Sequence, residues 1–355
     1  MDPKTPDEYN DQGNVLANQG KYDEAITFYD KALKADPSYP YALRNKGLAL
    51  QRLGKPKEAI KCYDKAIKLK PDYPRSWHSK GNALCDLNKY SEAIECYNKA
   101  ISLAVSGGDD LAFPLRGRGT AYVSLGESEK ALEDFNRLIE IDPKDTDALT
   151  AKADALLELK RFDEALESYN QALQVNSSDL NFLKGKANVL FQAQRYEDTL
   201  SVYKEGLKAD SAGSLISDIN EKGNSLLNSR KTDYAIKFYD LAIERSPSEA
   251  YLYQNKGIAL ANQQKFEEAL KCVTKAQSLD PNNASIWLER SRYFYDMRNF
   301  FEALKSYEKF LELEPESCDG WLEKGNSLYR MGKFDDAEVC YNKAITIDKN
   351  NLEVQ

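Results

Sequence analysis

Apolar residues recur along the chain at helical spacing, and the pattern breaks at regular intervals. In YALRNKGLALQRLGKPKEAIKCYDKAIKLKP (41–71), Leu43, Gly47 and Leu50 fall at i, i+4 and i+7 and share one face of a helix. Gly54 and Pro56 interrupt the run as a turn does. A second run places Ala59, Tyr63, Ala66 and Ile67 on one face, and Pro71 stops it, because proline cannot continue a helix interior. The unit is a helix, a turn and a helix. Turns such as KYDEA (21–25) and RFDEA (161–165) put carboxylates at the start of the second helix, where the macrodipole favours negative charge.

The unit repeats. Ala25, Ala59 and Ala93 are 34 residues apart, as are Gly13, Gly47 and Gly81, and Tyr29, Tyr63 and Tyr97. Self-similarity at this period, with this order of glycine, alanine, aromatic and proline, resembles the tetratricopeptide repeat. Ten repeats are read from Pro6 to Asn351 as a single array, with Leu352–Gln355 as a tail or the start of an eleventh. The step from Gly81 to Gly119 is 38, so four residues are inserted near 105–111; the step from Ala187 to Gly223 is 36, so two are inserted near 211–215. These insertions are expected to be seams in the stacking. The resemblance implies an all-α solenoid, with antiparallel helix pairs stacked into a right-handed superhelix. In this reading the repeated residues are packing residues, and the small ones let one repeat nest against the next.

Composition narrows the function. Lys+Arg 49 against Asp+Glu 57 gives a net charge of −8, and no dense Lys/Arg run stands out, so nucleic acid is not an expected partner. No apolar run approaches the roughly 18 residues of a membrane helix. The start, MDPKTPDEYN, is polar and acidic rather than a secretory signal, so a cytoplasmic protein is expected, and the glycosylation-type triplets at Asn176 and Asn283 carry no meaning. Cys62, Cys96, Cys272 and Cys340 occupy one place in the repeat. Stacked repeats hold such places roughly 10 Å apart, beyond the Cα separation of about 7 Å that a disulfide allows. They are read as free thiols, and no metal or cofactor is expected. His78 is the only histidine, and no nucleotide, zinc or nucleophile motif accompanies it, so no catalytic residue is assigned and the chain is not expected to be an enzyme.

The resemblance also implies where a ligand lies: along a concave groove lined by the first helices, against side chains flanking the glycine position. Carried onto each repeat, this marks Arg44, Asn45, Arg75, His78, Asn82 and Arg116 as a basic stretch in the second to fourth repeats. Arg52 lies further along the same helix as Arg44. Elsewhere the groove reads acidic, with Asp147, Asp154, Glu158, Glu221, Glu289, Asp296, Asp319 and Glu323. Asparagines recur along it, among them Asn14, Asn188, Asn220, Asn224, Asn255 and Asn326. An amide both donates and accepts, so such a row can hold the backbone of an extended peptide. Some relatives grip a chaperone C-terminus with a carboxylate clamp. Asn14, Asn45 and Arg75 match that pattern, but Asn10 and Ser79 stand where it needs positive charge, so clamping is not expected.

The expected function is a protein–protein interaction scaffold that binds an extended peptide or helix of a partner, with an acidic segment over the basic stretch. Two alternatives stand beside it: the substrate-recruiting arm of a larger enzyme, and a self-assembling structural protein. The second rests on Tyr341, Ala344, Ile345 and Ile347, read as an uncovered apolar face at the C-terminal end that favours a homo-oligomer.

Overall fold

The computed structural model describes residues 5–104 and 109–353. Within them, most residues are helical and no strand is present. They run as α1 (Pro6–Asn18), α2 (Tyr22–Ala35), α3 (Pro40–Arg52), α4 (Pro56–Leu69), α5 (Pro74–Cys85), α6 (Tyr90–Leu103), α7 (Asp109–Ser124), α8 (Ser128–Ile141), α9 (Thr146–Glu158) and α10 (Phe162–Val175). They continue as α11 (Leu180–Gln192), α12 (Tyr196–Ala209), α13 (Leu215–Asn228), α14 (Thr232–Arg245), α15 (Ala250–Asn262), α16 (Phe266–Leu279), α17 (Ala284–Asp296), α18 (Phe300–Leu313), α19 (Cys318–Arg330) and α20 (Phe334–Glu353). Odd-numbered helices are the first and even-numbered the second of each pair. The chain divides into two compact units, Met1–Val189 and Leu190–Gln355. The boundary falls inside the first helix of the sixth repeat, whose second helix carries Thr199 and Gly206 where alanine is usual.

The repeated small and large residues meet inside each repeat. A Cβ added to Gly13, Gly47, Gly81, Gly223 or Gly325 lands 2.5–2.6 Å from a ring carbon of the tyrosine 16 residues later, and at Gly119 it meets Phe135 in the same way. The glycine is therefore the seat for the ring of its own second helix, where any side chain would collide. This replaces the expectation that the glycine serves mainly contact between neighbouring repeats. Gly117 and Gly185 do take the ring of the preceding repeat, from Tyr97 and Tyr169.

Neighbouring repeats are joined by polar contacts. The tryptophan indole of a first helix donates to the carbonyl of the proline six residues before it: Trp77 to Pro71, Trp287 to Pro281 and Trp321 to Pro315, at 2.8–2.9 Å. In several repeats the residue before the glycine adds an ion pair back to the preceding repeat. Lys46 meets Asp30, Lys80 meets Asp64 at 2.7 Å, and Lys256 meets Asp240. Arg118 at this place differs: it grips the fully buried Asp134 of α8 with Nε at 2.8 Å and Nη2, and donates to Asn98 of α6.

The two insertions are built differently. Residues 105–108 lie outside the described part, and α7 begins at Asp109, so the remaining inserted residues extend a helix of 16 residues. In the second unit the insertion folds onto Asp210. That carboxylate accepts from the Ser214 backbone (3.0 Å) and hydroxyl (3.1 Å) and from the Leu215 backbone (2.8 Å). Its burial disfavours the charge, but these hydrogen bonds prevail and hold the Asp210 carboxyl below the usual carboxylate range.

Candidate functional site: the face of the first helices

The hydrophobic pattern turns the apolar faces of odd and even helices towards one another and leaves the residue after the glycine outside that interface, half-buried at Asn14, Asn82 and Asn224 and exposed at Thr120 and Asn326. That residue is tied to the core. Asn14, Asn82, Asn224 and Asn326 each accept a hydrogen bond from the hydroxyl of their repeat's tyrosine: the buried Tyr29 (3.0 Å), Tyr97 (2.7 Å) and Tyr239 (2.7 Å) and the half-buried Tyr341 (3.0 Å). A buried phenol needs an acceptor, and the amide oxygen supplies it.

A second set of asparagines links adjacent first helices. The Asn45 amide donates to both Asn10 and Asn14 at 3.0 Å, and the Asn255 amide donates to Asn220 at 2.9 Å. The pairing of asparagines 35 residues apart thus occurs in both units, and in the first it extends to Asn14. Asn10, noted in the sequence only as a departure from the clamp, is buried and is a member of the first network. Asn188 is half-buried on α11.

The basic stretch is brought together only in part. Arg44 on α3 reaches the backbone carbonyl of Arg75 on α5 with Nε at 3.4 Å, and Asn45 Oδ1 with Nη1 at 3.3 Å. Arg75 is exposed. His78 makes a contact to the Asn82 amide at 3.3 Å and sits 6.0 Å, ring to ring, from both Tyr97 and Phe113. Burial first, and Arg44 second, push the His78 pKa down to about 4, so at neutral pH it is uncharged and does not belong to a basic cluster. Arg116 is withdrawn as well: it pairs with Asp145 at 2.6 Å and Asp147 at 3.5 Å, on and beside the N-terminus of α9. Beside Arg44, the residues Asn14, Asn18, Asn45, Leu48 and Arg52 line a hollow of about 670 Å³.

The acidic positions are also largely engaged. Asp154 accepts from the Tyr169 hydroxyl at 2.5 Å, and Glu158 from Ser128 at 2.5 Å. Glu323 binds Arg292 at 2.8 Å and the Tyr307 hydroxyl at 2.9 Å. Those two partners, with Tyr295, Asp296 and Asn326, line a hollow of about 270 Å³ in the second unit. It stands at the same place in the repeat as the one beside Arg44. Sequence reasoning missed Arg292 and Phe113; the first stands where Asn14 does in its repeat, which was the available signal. Among the described residues no group of His, Cys, Asp and Glu could hold a metal, and no helix is long and apolar enough to cross a membrane. All six cysteines are free; burial pushes Cys96 up to about 11 and raises Cys62, Cys272 and Cys340.

Comparison with known proteins completes the picture. Tetratricopeptide repeat families match residues 2–40, 10–74, 116–179 and 150–214, residues 72–144, and residues 250–283 and 318–351. No curated protein sequence matches the chain. Among solved structures, that of Pseudomonas aeruginosa pilF is 22% identical, covering 59% of this chain and 93% of its own, with a TM-score of 0.51. MamA protein is 28% identical, covering 49% and 92%, at a TM-score of 0.43. YrrB, described as a TPR protein with an unusual peptide-binding site, is 19% identical, covering 66% and 97%, at 0.41. The family matches span most of the sequence and coincide with the helix pairs, so the chain belongs to the tetratricopeptide repeat family of protein-interaction scaffolds.

Proposed function

We propose that this chain is a scaffold or adaptor without catalytic activity, whose first-helix face holds an extended peptide or helix of a partner protein. An acidic segment of that partner lies over Arg44 and Arg75. The observation that carries the reading is the placement of these two arginines on consecutive first helices, with Arg44 bonded to Asn45 at the edge of a polar hollow of about 670 Å³, in a protein of net charge −8. Arginine suits bidentate binding of a carboxylate. Asn14, Asn45, Asn82, Asn188, Asn224 and Asn255 hold the peptide backbone, Asn14, Asn82 and Asn224 being oriented by tyrosine hydroxyls and Asn45 and Asn255 by neighbouring asparagines, and Arg116 serves the array through α9. The six free thiols fit a reducing compartment such as the cytoplasm. Two further roles remain within this reading: recruitment of substrate to a larger enzyme, and self-association through α20.

The test uses a labelled Asp/Glu-rich peptide and fluorescence anisotropy. Arg44→Glu combined with Arg75→Glu is expected to weaken binding more than about tenfold, since two carboxylate contacts of about 1 kcal/mol or more each become repulsions. Added salt weakens it too. Affinity is expected to stay flat from pH 6 to 8, because His78, with a pKa of about 4, remains neutral across that window. Affinity that survives both charge reversals removes this site assignment.

A further inference from the structure

A second surface stands out on the second helices. In α4 the residues Lys57, Lys61, Lys65 and Lys68 follow one another at steps of four, four and three, so they form one exposed stripe. No other second helix of the ten carries lysine at all four of these places. The counterparts in α14 are Asp233, Lys237, Leu241 and Glu244, and those in α10 are Asp163, Glu167, Gln171 and Gln174. Alongside the stripe, between α2 and α4, lies a hollow of about 620 Å³. Its floor is apolar, formed by Leu33, Pro37, Leu43 and Leu69, and Leu69 is 43% exposed. Its rim carries Lys61, Lys65 and Lys68. Two carboxylates beside the stripe are engaged elsewhere, Asp30 by Lys46 and Asp64 by Lys80, while Glu58 lies on the same helix between Lys57 and Lys61. The equivalent hollow between α12 and α14 is smaller, about 300 Å³, with Leu241 and Glu244 where Lys65 and Lys68 stand.

We infer that this hollow is a second docking site, specific for an acidic amphipathic helix of a partner. Charge and shape point to that occupant. The three rim lysines, spread along about 10 Å of helix at a rise of about 1.5 Å per residue, match carboxylates at i, i+4 and i+7 of a helix laid alongside. Apolar residues on the inner edge of that helix then fill the leucine-lined floor, as in helix-in-groove recognition. A phosphate backbone could use the lysines but leaves the floor wet, and the net charge of −8 repels it beyond the stripe. This site shares no residue with the first-helix face, so the two stand or fall separately.

The probe is a labelled synthetic 18-residue peptide of Leu, Ala and Glu with separated apolar and acidic faces; a scrambled peptide of the same composition is the control. The first is expected to bind at least tenfold more tightly than the second. Lys61→Glu with Lys65→Glu and Lys68→Glu is expected to weaken binding more than tenfold while circular dichroism stays unchanged, and Lys237→Glu on α14 is expected to leave it intact. If the triple reversal disturbs folding, the same three lysines changed to Gln are used, with a loss of at least threefold expected. Equal binding of the scrambled peptide, or affinity indifferent to the substitutions in folded protein, overturns the proposal. So does tighter binding of a single-stranded oligonucleotide or of phosphatidylglycerol vesicles at the same salt.

Discussion

At the scale of the residue, the repeat is defined by a glycine and the ring that rests on it. Gly47 shows how tight the fit is: an added Cβ would stand 2.5 Å from Tyr63 Cε1 and 2.9 Å from two further ring atoms. Tyr63 is fully buried, and its hydroxyl is held by Gln51 at 3.1 Å, so the ring has little freedom to retreat. Gly257 keeps the glycine without the ring, since Val273 replaces the tyrosine and the nearest atom to an added Cβ is its Cγ2 at 3.2 Å. Gly47→Ala is therefore expected to destabilise by about 1–2 kcal/mol, overpacking outweighing the helix propensity gained. Gly257→Ala should be close to neutral, because that same gain of up to about 1 kcal/mol offsets a milder contact. Thermal unfolding separates them, with a shift of several degrees for the first and little for the second. The glycine and tyrosine positions were legible in the sequence, since both recur at the repeat period. Their mutual contact was not, because a period fixes which residues are equivalent and not which of them touch.

At the scale of the element, polar bonds add to the apolar contacts between helices, and their weight depends on burial. The bond from Lys80 to Asp64 is a surface contact, with side chains 24% and 52% exposed, and such pairs contribute about 0–1 kcal/mol. The Arg118–Asp134 pair looks similar in sequence, as a cation just before the repeat glycine, but Asp134 is 1% exposed and receives two guanidinium bonds. Arg118→Met strands that carboxylate and is expected to cost about 3–5 kcal/mol. Lys80→Met is expected to cost less than about 1 kcal/mol, and denaturant midpoints with unchanged slopes would show the difference. Near-equal losses for the two would contradict it. The candidate site divides along the same line. Arg44, Arg75 and the asparagine row were legible because they sit beside the glycine in each repeat. The withdrawal of Arg116 to Asp145 and the neutrality of His78 were not, since both follow from neighbours about 30 residues or more away in sequence: Asp145 for the first, Phe113 and Arg44 for the second.

At the scale of the whole molecule, the sequence showed one apolar face on the last helix pair, and the structure splits it. Ala344 and Ile347 are 3% exposed and Cys318 donates to the Ala344 carbonyl at 3.5 Å, so these two belong to the interior of the α19–α20 pair; Tyr341 is half-buried. Ile345 alone of the four turns outward, at 52% exposure. Its counterparts on the nine other second helices, from Leu33 and Ile67 to Leu311, are half-buried or buried. Six residues earlier, Val339 is 67% exposed, at a place where every other repeat carries Thr, Ser, Lys or Glu. Two apolar residues on α20 thus meet water where the repeat pattern elsewhere covers one and makes the other polar. A symmetric pairing of two copies through α20 covers both on each partner at once, whereas a head-to-tail contact leaves one copy open and continues into rings or filaments. Light scattering over a concentration series is therefore expected to show mass rising to that of a dimer and stopping there. Ile345→Lys places a charge in the contact and is expected to hold the protein monomeric at every concentration without changing its unfolding midpoint. A monomer throughout for the unaltered chain, or a dimer indifferent to Ile345→Lys, would remove α20 as the contact and leave its exposed apolar residues to a different partner.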